Sequence, residues 1–445
     1  MAIDEKVDYS SFETKWIEFV GVADEFKMLR DKWNYLSSQP NSMLPEGGMV
    51  FRRMTKVIDE LEELFGRLGF HRHTHEERNT FVEREISRTT VSEISNRFLE
   101  LCHYHGILKT TFYMRTVSSE IPHVVSGIPL SPEKTMGNEA IYVAADNIAR
   151  KYKNCLYVSD EFDWDGYVSF LYPTTTFYGA SCRPAQYLRL FHISISEEGK
   201  NFLGLYLVIP HELAHMSHIK LDRRNGDTKW FQKMYDQLVP RIIIRRTEPA
   251  VDEEIEFPDF DLLLRQFVAD LLGLEIGGIT TLQLYNDLVY IMPEQYLRNC
   301  FLYGYYSSMN NPVSNLINAE IQILDQRKRF YEVSDLDWDS LRQIGIALGS
   351  RFRELAQDFV TDGNRNQLDL PSDETVGSDL ISHLVKQRFE ITPKEEEELS
   401  ASLQSGKIVN NEDPAKILHS FYRNFRRNQP NNYNAAIFSL ANSSF

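Results

Sequence analysis

The chain has 445 residues, of which 42 % are apolar and 25 % are charged, an ordinary composition for globular proteins. The length predicts two or three packed units, and the composition argues against a wholly disordered chain. The formal net charge of -16 repels phosphate backbones and therefore argues against general nucleic-acid binding.

Apolar runs and cysteines bear on the cell compartment. The longest apolar run, residues 202–210, is too short to span a bilayer, and the N-terminal sequence MAIDEKVDYSS lacks the apolar segment of a secretory signal. The cysteines at positions 102, 155, 182 and 300 form no C-x-x-C pair, so neither a thiolate zinc site nor a disulfide framework is indicated. We expect a cytoplasmic protein without a membrane span.

The first hundred residues are predicted to be mainly helical. Apolar residues recur at helical spacing over 11–36 and 49–69, and the segment PNSMLPEGG (40–48) separates these two helices. A third helix is expected over about 76–104. Residues 1–105 are therefore assigned to an N-terminal helical region.

The pattern changes between residues 107 and 200, where a small mixed or antiparallel sheet is expected. Segments rich in β-branched and aromatic residues alternate there with turn signals. These segments are ILKTTFYMRT (107–116), HVVSGIPL (123–130), NCLYVSD (154–160), YVSFLYPTTTF (167–177) and YLRLFHISIS (187–196). One helix, over 138–152, is predicted within this stretch.

From residue 202 onward the spacing of apolar residues is helical again. The predicted helices are 202–221, 228–238, 260–277, 280–290, 294–308, 312–332, 337–361, 376–389, 393–404 and 413–426. The final stretch, NQPNNYNAAIFSLANSSF, is polar with a few aromatic residues and is expected to be loose or to dock on a partner. Residues 311–445 are assigned to a C-terminal helical region.

The motif H-E-x-x-H occupies residues 211–215. On a helix, His211 and His215 lie one turn apart on the same face, so both imidazoles can bind one zinc ion. Glu212 projects beside them, where it can take a proton from a water molecule whose pKa the zinc ion lowers. The apolar run FLGLYLVI before the motif favours a buried helix, which Pro210 either starts or kinks. The alternative is a surface helix with two incidental histidines.

The downstream segment LRQFVADLLG (264–273) resembles the E-x-x-A-D segment of gluzincin-type metallopeptidases, where it lies on a helix that follows the H-E-x-x-H helix. The resemblance covers these two motif helices only. It implies that the first position of the segment, here Gln266, is the third zinc ligand. It also implies that the Asp four residues later, here Asp270, contacts a ligand histidine without binding the metal itself.

The ligand position departs from this family pattern, because Gln266 stands where the family has Glu. An amide oxygen is neutral and binds zinc less well than a carboxylate. Gln266 coordinates weakly through its oxygen, or Asp270 is the ligand one turn along the same face, or the site is attenuated or metal-free. A further alternative makes Asp270 a buried capping or pairing residue.

Two more segments are candidate parts of the site. PEQYLR (293–298) resembles a P-x-x-x-L-R step in some zincin-like proteins, which implies that Arg298 stabilises an oxyanion or orients the third ligand. The alternative is a surface arginine. Phe191, Ile193 and Ile195 alternate with polar residues, as in the strand whose edge binds the substrate backbone in zincins. An internal strand is the alternative.

Together these features predict an α+β fold that is mainly α. We expect a zincin-like catalytic core (106–310) with a small β-sheet, between large helical N- and C-terminal regions. The expected function is that of a zinc-dependent metallopeptidase, with Zn²⁺ as its cofactor, hydrolysing a protein or peptide substrate. The alternatives are a catalytically attenuated zincin-fold binding or scaffold protein, and a metal hydrolase that acts on another bond. A regulatory partner or a second copy of the chain is expected to bind through the helical regions.

Overall fold

The computed structural model is mostly helical, which confirms the mainly α prediction. It describes residues 9–38, 44, 48–70, 88–120, 132–156, 165–171, 180–185, 188, 190–196, 203–223, 243–245, 252–254, 260–288, 293–309, 311–327, 338–361, 381, 384–410 and 412–443. Over these residues, no helix has both the length and the apolar character needed to cross a membrane.

The chain divides into two compact units. The first comprises Met1–Glu139, Trp164–Tyr167 and Arg183–His192. The second comprises Ala140–Asp163, Val168–Cys182 and Ile193–Phe445. The motif helices of the predicted metal site both belong to the second unit.

Long helices build the first unit: α1 (Tyr9–Ser37), α2 (Gly48–Arg67) and α3 (Arg88–Glu120). Buried residues on α1 recur at alternating spacings of four and three, from Phe12 through Trp16 and Phe19. This spacing turns one stripe of the helix towards the core, where it packs with apolar residues of α2 and α3.

The expected strand over 107–116 is instead the continuation of α3. Tyr104, Leu108 and Thr111 are all buried, at spacings of four and three. The helical period of the core therefore extends into this β-branched stretch, and packing overrides the β-propensity of its residues.

Short strands form two sheets. β1 (Asp165–Leu171), β2 (Ala180–Ala185) and β3 (Leu190–Ser196) form a sheet in the order β1-β3-β2. β4 (Ile243–Arg245) pairs antiparallel with β5 (Asp252–Glu254), with Ile243 opposite Glu254.

The second unit contains most of the helices. They are α4 (Pro132–Asn154), whose first residues belong to the first unit, α5 (Ile209–Arg223), α6 (Phe260–Gly277), α7 (Ile279–Leu288), α8 (Pro293–Ser307), α9 (Val313–Arg327), α10 (Trp338–Thr361), α11 (Pro393–Gln404), α12 (Pro414–Arg426) and α13 (Tyr433–Ala441). A 3₁₀ helix (Leu203–Val208) leads directly into α5, so Pro210 lies in the first turn of α5. Proline is tolerated there because the first turn leaves its N–H groups unpaired in any case. The helix expected over 228–238 lies outside the described residues.

Helices α8 and α10 cross with their backbones almost in contact. A Cβ added at Gly345 would lie 2.5 Å from Cys300 Cβ, and one added at Gly304 or Gly349 would overlap backbone atoms of the opposite helix. Only glycine allows this close approach, which fixes the position of α8 and therefore of Arg298.

The described part of the C-terminal stretch is not loose, because α13 packs within the second unit. Ala436 and Leu440 are buried, and the Asn147 side chain donates hydrogen bonds to the carbonyl oxygens of Leu440 and Ala441, both at 3.1 Å. Asn432 caps the first turn of α13 by accepting from the Ala435 N–H. The buried residues of α13 are Ala435, Ala436, Ile437, Ser439 and Leu440.

The described part of the expected helix 376–389 is largely irregular. Val385 makes an isolated bridge to Leu156, and the Phe389 N–H donates to the Glu275 carbonyl at 2.7 Å. This segment runs across the end of α6, where Gly278 adopts a positive φ of 74° and brings the chain back into α7.

Candidate metal centre

Close packing of α5 on α6 brings the two sequence motifs together. A Cβ added at Gly273 would lie 3.2 Å from the Cα of His211, and one added at Gly277 would lie 2.9 Å from Pro210 Cγ. Gln266 and Asp270 precede Gly273 by two turns and one turn on the same face of α6. The start of α5 therefore rests against the stripe of α6 that carries the candidate ligands.

The His211 ring lies between two side chains of α6. Its Nδ1 is 2.8 Å from Asp270 Oδ1, in a close polar contact that is not aligned as a hydrogen bond. Its Nε2 is 3.0 Å from Gln266 Oε1. With the ring proton on Nδ1, which the Asp270 carboxylate favours, Nε2 and Oε1 are both acceptors and need a cation between them. With the proton on Nε2, the ring donates a hydrogen bond to Oε1.

Asp270 is held by Arg298 of α8 through both carboxylate oxygens. Arg298 Nε donates to Oδ2 at 2.7 Å and Nη2 donates to Oδ1 at 2.6 Å. Both side chains are buried, with 6 % of Asp270 and 8 % of Arg298 exposed. Burial alone would raise the pKa of the Asp270 carboxyl group, but the guanidinium charge and its hydrogen bonds hold that pKa well below the usual range.

The His215 ring lies one turn along α5, perpendicular to the His211 ring, with 4.9 Å between the ring centroids. Burial, followed by the influence of the neighbouring His211 and Arg298 side chains, lowers the pKa of His215 to about 3. Neutral imidazole is the form that binds metal ions.

Tyr285 of α7 is a site residue that the sequence did not reveal. Its ring packs on the His211 ring at a centroid distance of 4.9 Å, and the Arg298 guanidinium lies 5.4 Å from the Tyr285 ring centroid. Burial and then the Glu212 charge raise the pKa of Tyr285, so its hydroxyl stays protonated. The turn at Gly278 brings it to the site, and no spacing rule links it to H-E-x-x-H. The polar residues Gln283, Tyr285 and Asn286 in the apolar segment ITTLQLYNDL were the sequence feature that could have pointed to it.

The donor set fits a metal ion only if an amide oxygen takes part. Over the described ranges, no group of three His, Cys, Asp or Glu side chains is arranged to hold a metal ion. Ligand atoms bound to zinc at about 2.1 Å in a tetrahedral arrangement lie roughly 3.4 Å apart. The 3.0 Å between His211 Nε2 and Gln266 Oε1 is close to this separation.

Most of the sequence-predicted site residues therefore lie together. His211, His215, Gln266, Asp270 and Arg298 form one cluster, and Glu212 directly follows His211 in the first turn of α5. Arg298 is not the surface arginine of the alternative interpretation, because it is buried against Asp270.

The substrate-binding strand edge expected at Phe191, Ile193 and Ile195 is not there. These residues are buried, at 1 %, 0 % and 2 % exposed, and lie on β3. Because β3 is the middle strand of its sheet, both of its edges pair with neighbouring strands. Its backbone groups are taken up by the sheet, as in the alternative of an internal strand.

Comparison of this chain with protein-family models, with curated proteins and with solved structures found no match. The resemblance to gluzincins therefore depends on the two motif helices alone.

Proposed function

We propose that the protein is a zinc-dependent hydrolase in which His211, His215 and Gln266 hold the metal ion. The observation that carries this proposal is the 3.0 Å contact between His211 Nε2 and Gln266 Oε1 beside the His215 ring. When the ring proton is on Nδ1, both atoms are acceptors, and a bound cation satisfies both lone pairs; a neutral imidazole with an amide oxygen is chemically suited to zinc.

Asp270 is the weaker candidate for the third ligand. Both of its oxygens already accept from Arg298, and Oδ1 also contacts His211 Nδ1. Turning the carboxylate towards a metal would take the bidentate partner from the buried guanidinium, which costs several kcal/mol. We assign Asp270 the role of orienting His211, and Arg298 the role of holding Asp270, so neither residue touches the substrate.

The chemistry assigned to the site is water-mediated hydrolysis. A bound zinc ion would supply a Lewis acid that polarises the scissile carbonyl and acidifies water. Glu212, on the same turn of α5 as His211, accepts the proton from the attacking water and passes it to the leaving group. The neutral hydroxyl of Tyr285, within electrostatic reach of Glu212, is a donor available to a developing oxyanion.

We propose a peptide bond in a protein as the substrate, because amide hydrolysis is the reaction of the family that the motifs resemble. The test compares protein fragments released by wild type and by Glu212→Gln from a cell lysate. Wild type is expected to generate fragments that Glu212→Gln does not, while the matched variant Glu354→Gln, exposed on α10, behaves as wild type. Identical fragment patterns from wild type and Glu212→Gln would contradict the peptidase proposal.

A binding or scaffold protein without metal is the second candidate. It is favoured by the chemistry of Gln266, since turning its amide over would place an N–H₂ donor against His211 Nε2 and satisfy both groups without a cation. Metal analysis separates the two candidates: protein that neither retains nor takes up zinc would favour the scaffold.

A further inference from the structure

The ligand set that we propose is neutral. His211, His215 and Gln266 contribute no negative charge, whereas the family pattern would place a carboxylate at position 266. The remaining carboxylate on this face of α6, Asp270, forms a bidentate ion pair with Arg298 at 2.6 and 2.7 Å. Its charge is therefore largely compensated before a metal ion arrives.

A nearby positive charge adds to this lack of negative charge. The Arg298 guanidinium lies 5.4 Å from the centroid of the Tyr285 ring, and that ring packs on the His211 ring. A divalent cation bound by His211 is repelled by this positive charge, and Glu212 is the remaining acidic group of the motif. The charges around the centre therefore make cation binding less favourable than it would be with a carboxylate at position 266.

The His211–Gln266 contact adds a local competitor. A protonated Nε2 donates to Gln266 Oε1 at 3.0 Å, and a turned amide donates to a neutral Nε2. Either arrangement satisfies the two atoms when no metal is bound. A metal ion can bind only when this hydrogen bond is broken, and the cost of breaking it offsets part of the coordination energy.

We propose that Gln266 makes this a weak, readily exchanging metal centre whose loading follows the concentration of free zinc, a regulatory property that rests on the proposed function. Gln266 is a residue that sets metal affinity, and the protein is switched on by zinc supply. The negative charge of a carboxylate at the same place would hold the metal ion more tightly.

The test measures the dissociation constant for Zn²⁺ of metal-stripped protein, by competition with a chromophoric chelator. Gln266→Glu keeps the shape of the side chain and adds the missing charge, and it is expected to tighten zinc binding roughly 10–100-fold over wild type. Gln266→Met removes the oxygen at similar size and is expected to weaken binding about tenfold or more. The matched control Gln404→Glu, exposed on α11, adds the same charge away from the site and leaves the constant unchanged.

The outcomes separate this inference from the proposed function. Equal zinc affinity in wild type, Gln266→Glu and Gln266→Met, with binding abolished by His215→Ala, would overturn the role of Gln266 and leave the metal centre standing. Absence of zinc binding in wild type and in a folded Gln266→Glu would overturn both. If Gln266→Glu fails to fold, as judged by circular dichroism, the comparison of Gln266→Met with wild type decides.

Discussion

The ion pair between Asp270 and Arg298 gives the sharpest stability prediction. Asp270→Asn keeps the shape of the side chain but removes the bidentate partner of the Arg298 guanidinium, 8 % exposed, whose other carboxylate is the half-exposed Glu294 at 3.7 Å. Arg298→Met leaves the Asp270 carboxylate, 6 % exposed, without the guanidinium. Each single variant therefore leaves a buried charge without its principal partner.

Breaking a buried ion pair from one side costs about 3–5 kcal/mol. We expect each single variant to lower the free energy of unfolding by that amount. The double variant Asp270→Asn/Arg298→Met removes both charges, so its loss should fall short of the sum by about 2 kcal/mol or more. An exposed pair gives the comparison: Glu354→Gln removes the partner of Arg351, and exposed pairs contribute about 0–1 kcal/mol.

Urea unfolding in the presence of EDTA measures these free energies without a metal contribution. Losses below about 1 kcal/mol in both single variants, equal to that of Glu354→Gln, would refute the argument, because the charges would then be solvated or dispensable. An additive double variant would show that the two side chains act independently.

Three further predictions address packing and pH. Gly349→Ala, whose Cβ would overlap the Phe301 carbonyl oxygen, should lower the free energy of unfolding by about 3 kcal/mol or more. Gly21→Ala, with open space around it, should raise that free energy by about 0.5–1 kcal/mol. Urea unfolding tests both, and similar effects of the two substitutions would contradict the close crossing of α8 and α10. Gly273→Ala should push His211 away from α6 and weaken zinc binding in the chelator assay, and unchanged affinity would contradict the need for this close contact. The close contact with His419 and the charges of Arg423 and Arg427 lower the pKa of Glu396 from 4.5 to about 2, so its stabilisation is complete above pH 4.5 and is lost as the pH falls towards 2. Thermal melts of Glu396→Gln should lose part of this acid dependence, while Glu398→Gln, 67 % exposed on the same helix, should keep it.

The helices were predictable wherever one face is buried. The predicted segments 260–277, 337–361 and 393–404 match α6, α10 and α11 within a residue at either end. Their apolar residues recur at helical spacing because each helix has one face against the core. Where local composition and packing disagree, as at 107–116, the helical period of the core decided the structure.

The candidate site was predictable only where sequence spacing determines geometry. One turn of helix relates His211 to His215 and another relates Gln266 to Asp270, and both relations follow from the helical period. The bidentate contact of Arg298 with Asp270 and the packing of Tyr285 on His211 join different helices. Those contacts depend on how α7 and α8 pack, which the turn at Gly278 and the glycines of α10 determine.

Zinc binding at equilibrium tests the central claim most directly. Metal-stripped wild type, His215→Ala and His103→Ala are dialysed against the same zinc-buffered solution, and bound zinc is measured by mass spectrometry of the element. His103 is an exposed histidine on α3, in the first unit, and serves as the matched control. We predict stoichiometric zinc in wild type and His103→Ala, and loss of that zinc in His215→Ala. Zinc retained in full by His215→Ala, or bound by none of the three proteins, would contradict a metal centre at His211 and His215.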